Sequence, residues 1–180
     1  NLTIFSPASP KEVEKAVAAA YALEGPVYIR LGMSKEKEIY TDDISFIPGD
    51  SIDLFSGTDY AVCATGSIIE EAVEAVGRLQ DEGKSVKLIN IHTLKPLNKE
   101  NLVLKLKNVK KIATIEEHNI IGGLGGILAE IISEENLQIP LIRLGLNDCF
   151  ASGFGTQRNV RAENNLDSGS IYRILKKEFQ

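Results

Sequence analysis

Two carboxylates, a histidine and four glycines are the densest chemistry in this chain. They are Glu116, Glu117 and His118 in the stretch Lys110–Gly126, KKIATIEEHNIIGGLGG. Adjacent carboxylates can hold an imidazole protonated, which would poise His118 for proton transfer at a strand end. A second reading makes His118 a hydrogen-bonding group across a domain or subunit interface. Of the two acids, one is expected to order the glycine turn by accepting backbone amides, the other to face solvent or a partner. The glycines fail as a dinucleotide fingerprint: counted from Gly123, the last required glycine falls on Leu128. An anion could dock on free amides ahead of the helix, but a tight turn with close packing is the simpler use of these residues.

Other reactive residues are few. Cys63 and Cys149 stand in no CxxC spacing, so neither a disulfide framework nor a metal or redox motif is implied. Cys63 lies in an apolar run and reads as a small buried hydrophobe. A Cys149–His118 nucleophile pair would need a strand–turn–helix elbow that the residues around Cys149 do not provide. His92, followed by Pro96, marks a loop. With two histidines in the chain, a zinc centre would need cysteines in spacings that are missing.

These residues need elements to position them, and the chain supplies a regular alternation. Strands are expected at Tyr60–Ala64, Val86–Ile91, Lys111–Ile115 and Ile139–Leu144. Helices are expected at Ile68–Asp81, Asn98–Leu106, Ile127–Ser133 and from Asp167 to near Phe179. Short connections between alternating strands and helices imply a three-layer α/β/α fold with a mainly parallel sheet. Near the start, Ser9-Pro10-Lys11-Glu12 is a helix opening: Ser9 caps, Pro10 suits the first turn and Glu12 completes a capping box. That helix should reach about Leu23 and stop at Gly25-Pro26, with a buried strand over Val27–Leu31. One helix and one or two strands cannot form a sheet of their own, so either they pack on the body of this chain or they need a missing partner, and the missing partner is the expectation. Gly32–Gly57 is mostly polar and reads as a linker with one short strand.

Composition narrows the function. The chain has 180 residues, a net charge of −5 and 43% hydrophobic residues, enough to build a core without a disulfide or metal staple. An acidic balance argues against a nucleic-acid partner. The basic cluster Lys105, Lys107, Lys110 and Lys111 reads as a solvated helix end and loop. No apolar run is long enough to cross a bilayer. Unpaired cysteines without a signal peptide suggest the cytoplasm. Because it opens on Asn1, the chain reads as a fragment, a processed piece or a trimmed one.

The ordered motifs resemble a known family. Glu116-Glu117-His118 leading into Gly122-Gly123-Leu124-Gly125 resembles the EEH-to-GGxG passage in the C-terminal domain of thiamine diphosphate-dependent transketolases and 1-deoxyxylulose-phosphate synthases. Ala64-Thr65-Gly66-Ser67 is similar to the family's strand–TGS–helix opening. His92–Leu97 is similar to its TLKPL turn, and Asp148-Cys149-Phe150 with Ser152-Gly153 to its DxFxxSG loop. Ser6-Pro7 through Arg30-Leu31 resembles the end of the preceding pyrimidine-binding domain. The resemblance implies residues 1–33 as a remnant of that domain, 34–58 as a linker and 59–180 as the C-terminal domain. It implies a five-stranded, mainly parallel sheet whose one antiparallel strand is either Ser45–Ile47 or Ile52–Phe55.

What the resemblance implies about function follows. The parent enzyme would use thiamine diphosphate and Mg²⁺ to move a two-carbon unit from a ketose to an aldehyde. This portion would contribute dimer assembly and site closure, with His118 and Glu117 as catalytic contributors. The family's GDG…N motif for the diphosphate and Mg²⁺ is broken here: Pro48-Gly49-Asp50-Ser51 lacks the third glycine, and Asn164-Asn165 is too distant. The activating glutamate belongs upstream of Asn1. No cofactor is therefore expected on this portion alone, which should be inactive without its N-terminal partner and is expected to form a homo-oligomer. Met33 stands where relatives place a phosphate-gripping arginine, so Lys35 or another subunit substitutes, or the substrate carries no phosphate there. Arg30 reads as a structural ion-pair partner. The alternatives are a 1-deoxyxylulose-phosphate synthase, a 2-oxo acid dehydrogenase β chain, or a non-catalytic module docking through its sheet edge or the Lys105–Lys111 patch.

Overall fold

Tyr60–Ala64 reads YAVCA and every one of its side chains is buried, as befits a strand covered on both faces. In the computed structural model, which describes residues 1–32 and 36–180, this strand is the centre of a five-stranded sheet. In chain order the strands are β1 Thr3–Phe5, β2 Val27–Ile29, β3 Ile52–Phe55, β4 Tyr60–Ala64, β5 Val86–Asn90, β6 Thr93–Lys95, β7 Lys111–Asn119 and β8 Leu141–Leu146. The helices are α1 Pro10–Ala22, α2 Ile69–Asp81, α3 Lys99–Leu106, α4 Leu124–Glu134, α5 Gln157–Glu163 and α6 Ser168–Glu178. The large sheet runs β3-β5-β4-β7-β8, parallel except for β3. This is the expected α/β/α architecture, and of the two candidates for the antiparallel strand Ile52–Phe55 supplies it. Tyr60, Val62 and Ala64 pack with α2 and α6 on one face. Ala61 and Cys63 pack with α3 and α4 on the other.

Three expectations on the large sheet change. β7 does not end at Ile115 but carries Glu116, Glu117 and His118 on to Asn119, because β8 runs beside it as far as Leu146. α4 starts at Leu124, earlier than Ile127, since a side chain from β7 receives its first amides. α5 has no counterpart among the expected helices; Thr156 caps it by accepting from Asn159 N–H at 3.3 Å.

The two strands of the N-terminal segment join β6 from the later chain in a separate three-stranded sheet, β2-β1-β6. β1 pairs in parallel with β2 and antiparallel with β6, so Thr93–Lys95 is a strand in place of the expected turn. This chain's own body therefore provides part of the covering expected from a missing partner. β2 is shorter than expected and not buried: it is the sheet's edge, and Tyr28 is 52% exposed. Val17 and Tyr21 on α1, and Leu31 after β2, are exposed apolar side chains as well. α1 itself is capped as expected, Ser9 Oγ accepting from Glu12 N–H at 3.4 Å. Glu12 differs from a capping box: its carboxylate takes the amide of Ala8, not of Ser9, and is fully buried. The readings of Met33 and Lys35 lie outside the described residues.

Candidate functional site

β4 leads through α2 to β5 on one side, while β7 lies on the other. The carboxyl ends of β4 and β7 are thus where strand order reverses, the place where open α/β sheets put ligands. β4 delivers Thr65-Gly66-Ser67 there, and Gly66 adopts φ +71, a left-handed geometry that favours glycine. β7 delivers Glu116, Glu117 and His118.

The three residues of the triplet separate by strand alternation. Glu116 is fully buried and accepts from Leu124 N–H at 2.8 Å and Gly125 N–H at 3.0 Å, closing the open end of α4. One acid orders the glycine turn, as expected. A side chain at Gly123 would overlap the Glu116 carboxylate, and one at Gly125 would meet Arg143 and Thr114. His118 Nδ1 lies 3.1 Å from Glu116 Oε2, with its side chain 33% exposed. The hydrogen bond to Glu116 raises the imidazole above its ordinary value, with burial opposing.

Glu117 does not face solvent. It sits at the switch point in an ion-pair network, accepting from Arg161 Nη2 at 2.7 Å and Nε at 3.1 Å, from Ser67 Oγ at 2.9 Å and from Gln157 Nε2 at 3.1 Å. Arg30, at the end of β2, reaches it at 3.7 Å, the ion-pair use expected of that arginine. Arg161 also approaches Glu71 of α2 at 3.5 Å. Beside the network lies a cleft of about 270 Å³ between Glu117, Gln157 and Arg161 and the apolar Leu146, Val160 and Leu166. Phe150 and Phe154 on the adjoining loop are exposed. Ser67, Gln157 and Arg161 are not among the candidates that the sequence offers. The Thr156–Asn159 cap spacing is the one signal that could have located α5.

The other candidates scatter. Cys63 is buried and its thiol is pushed up to about 12 by burial, which leaves it an inert hydrophobe as expected, while Cys149 is exposed. His92 is not in an open loop: it is fully buried against Phe46, and burial lowers it to about 4. Of the basic cluster, Lys105 pairs with Asp53, Lys110 with Asp59 and Lys111 with Glu178, which leaves little free charge for a docking patch. No group of three metal-ligating side chains occurs among the described residues. The α4 amides that a diphosphate could use are occupied by Glu116, so the residues here do not fit thiamine diphosphate or its Mg²⁺. No helix is long and apolar enough to cross a membrane among the described residues.

Comparison with known proteins points to one family. Residues 52–170 match the family model of the transketolase C-terminal domain. One of the subunits of the apulose-4-phosphate transketolase of Actinobacillus succinogenes is 36% identical over 95% of this chain and 55% of its own length. The 1-deoxy-D-xylulose-5-phosphate synthase of Chlorobium luteolum is 31% identical over 100% of this chain and 29% of its own. A solved structure described as a split gene transketolase, inactive β4 tetramer, superposes with a TM-score of 0.90 at 36% identity, over 98% of this chain and 57% of that one. The chain spans about half the length of the transketolase subunits it matches.

Proposed function

The chain belongs to the transketolase C-terminal domain family, and on that footing we propose that it is the C-terminal portion of a thiamine diphosphate-dependent transketolase. It contributes to assembly and closure of the site in an enzyme that moves a two-carbon ketol unit from a ketose to an aldehyde. The observation that carries this reading is the N-terminal module: one helix and two strands in which β2 has no second strand neighbour among the described residues, with Val17, Tyr21, Tyr28 and Leu31 exposed. An unpaired edge with exposed apolar side chains calls for a partner that continues the sheet. The similarity to one subunit of a transketolase along nearly the whole chain supports an upstream portion as that partner.

In this reading thiamine diphosphate and Mg²⁺ are held by the upstream portion, and the cofactor supplies the carbanion chemistry of the transfer. This chain supplies the ligand edge of its sheet. His118, raised toward the cationic form by Glu116, is the group we assign to proton handling. Glu117, held by Arg161, Ser67 and Gln157, fixes the strand end that presents it. The assembled enzyme is a cytoplasmic oligomer.

The test is ketol transfer by this chain mixed with the upstream portion in thiamine diphosphate and Mg²⁺, with each component alone as control. Activity restricted to the mixture is expected; transfer by this chain alone, or none from a stable complex, overturns the reading. A second reading, 1-deoxyxylulose-5-phosphate synthesis, is favoured by the likeness to a synthase of that name, which spans 100% of this chain and 29% of that one. Formation of that product in the same mixture would move the assignment.

A further inference from the structure

Glu12 is a fully buried carboxylate that the ligand edge does not use. Its partners are neutral donors from three separate stretches of chain. Ala8 N–H, before α1, donates to Oε2 at 2.8 Å. The Tyr40 hydroxyl, from the segment between the two sheets, and the Asn90 side-chain amide, at the end of β5, both donate to Oε1. Asn90 also reaches the Tyr40 hydroxyl at 3.0 Å, which closes a triangle. No cation pairs with Glu12 among the described residues, and a carboxylate kept out of water unpaired has a large desolvation cost. Such a group persists where its hydrogen bonds define an arrangement that apolar packing would leave loose.

The surroundings extend the same connection. Lys11 N–H donates to Glu38 at 3.0 Å, and Lys11 Nζ reaches the Tyr40 carbonyl at 3.2 Å. Lys15 pairs with Asp43 at 2.9 Å. Residues 38–43 thus lie along α1 and carry Tyr40 to the sheet. Two residues past Asn90, the carbonyl of His92 accepts from Ser6 N–H at 2.8 Å, next to the β1–β6 pairing.

We propose that Glu12 is a positioning residue: its carboxyl locks the N-terminal module onto the five-stranded domain by tying α1, the connecting segment and β5 together at one point. The relative placement of the two sheets, and with it the approach of Arg30 to Glu117, depends on this lock. Its role does not depend on the identity of the reaction.

Hydrogen exchange of the full chain tests it. Glu12→Ala is expected to speed exchange in α1, β1 and β2 by about tenfold or more, with β4, β5 and β7 keeping their protection. Glu12→Gln keeps an acceptor for Tyr40 and Asn90 and loses the one for Ala8, so its effect is expected to stay within the first turn of α1. Unchanged exchange in α1 of Glu12→Ala, or an equal loss across β4 and β7, overturns the proposal, since Glu12 would then be an ordinary core contact. If Glu12→Ala does not fold, Tyr40→Phe decides, because it removes one donor without opening a void. It must loosen residues 38–43 together with α1, and protection unchanged in either segment overturns the lock.

Discussion

Arg161 Nη2 lies 2.7 Å from Glu117 Oε2 across the gap between α5 and β7, with the arginine side chain 7% exposed. Two elements far apart in sequence thus meet where strand order reverses, and Glu71 shares the guanidinium. Removing one partner of a buried pair leaves the other uncompensated. Arg161→Ala is expected to cost about 3 kcal/mol in denaturant unfolding. A loss under about 1 kcal/mol, the range of exposed pairs, would mean that solvent reaches the network freely.

His118 is held above its ordinary value chiefly by the hydrogen bond to Glu116. Because the folded value is raised, the stabilisation is complete below pH 6.5 and is lost as pH climbs through the raised value. In an NMR titration His118 should titrate above 6.5, and Glu116→Gln should bring it down. A midpoint that ignores this substitution would rule out Glu116 as the cause.

Glycines of the same run should respond in opposite directions. Gly123→Ala sets a methyl against the Glu116 carboxylate and displaces the cap of α4. The expected cost is about 1–3 kcal/mol. Gly126, inside α4, has nothing within 4 Å of the added carbon. Gly126→Ala is expected to stabilise by about 0.5–1 kcal/mol. Thermal melts of the two variants that moved the same way would contradict the packing described.

The fold is largely legible in the sequence because it rests on local chemistry. Ser9, Asn98 and Asp167 each cap the helix they open, and the short apolar run YAVCA reads as a strand, as it proves to be. The candidate site is legible only in part. A carboxylate near the glycines is expected to take amides, and Glu116 does. For the other acid, Glu117, the sequence leaves solvent or a partner open, because its partners Ser67, Gln157 and Arg161 stand 40 or more residues away. α5 carries no apolar period, so the Thr156–Asn159 cap spacing is all that hints locally at the helix that brings Arg161 in. β6 escapes for a similar reason: three residues before a proline look like a turn until β1 is beside them.

Burial raises Glu12 above the ordinary carboxyl value, while Tyr40, Ala8 and Asn90 pull it down and Glu38 adds to the rise. The sign follows from the raised folded value: this group's contribution is complete below pH 4.5 and falls away as pH rises through the raised value. Wild type should therefore lose stability relative to Glu12→Gln as pH is taken from acid toward neutral. Parallel stability profiles for the two proteins would show that the carboxyl titrates alike folded and unfolded.

Thiol reagents should separate the cysteines. Cys149 is exposed, whereas Cys63 is buried with its thiol pushed up to about 12. One equivalent of reagent should react with the native chain and a second only on unfolding. Two fast equivalents would require β4 to open.

The pairing of β6 with β1 has a genealogical consequence. A strand that lies in the C-terminal sequence completes a sheet begun near the first residue, so the two sheets are not interchangeable cassettes. A chimera joined between residues 36 and 51 would inherit one parent's β1 and another's β6 with registers that must match. Recombination in this lineage should be tolerated where both strands travel together.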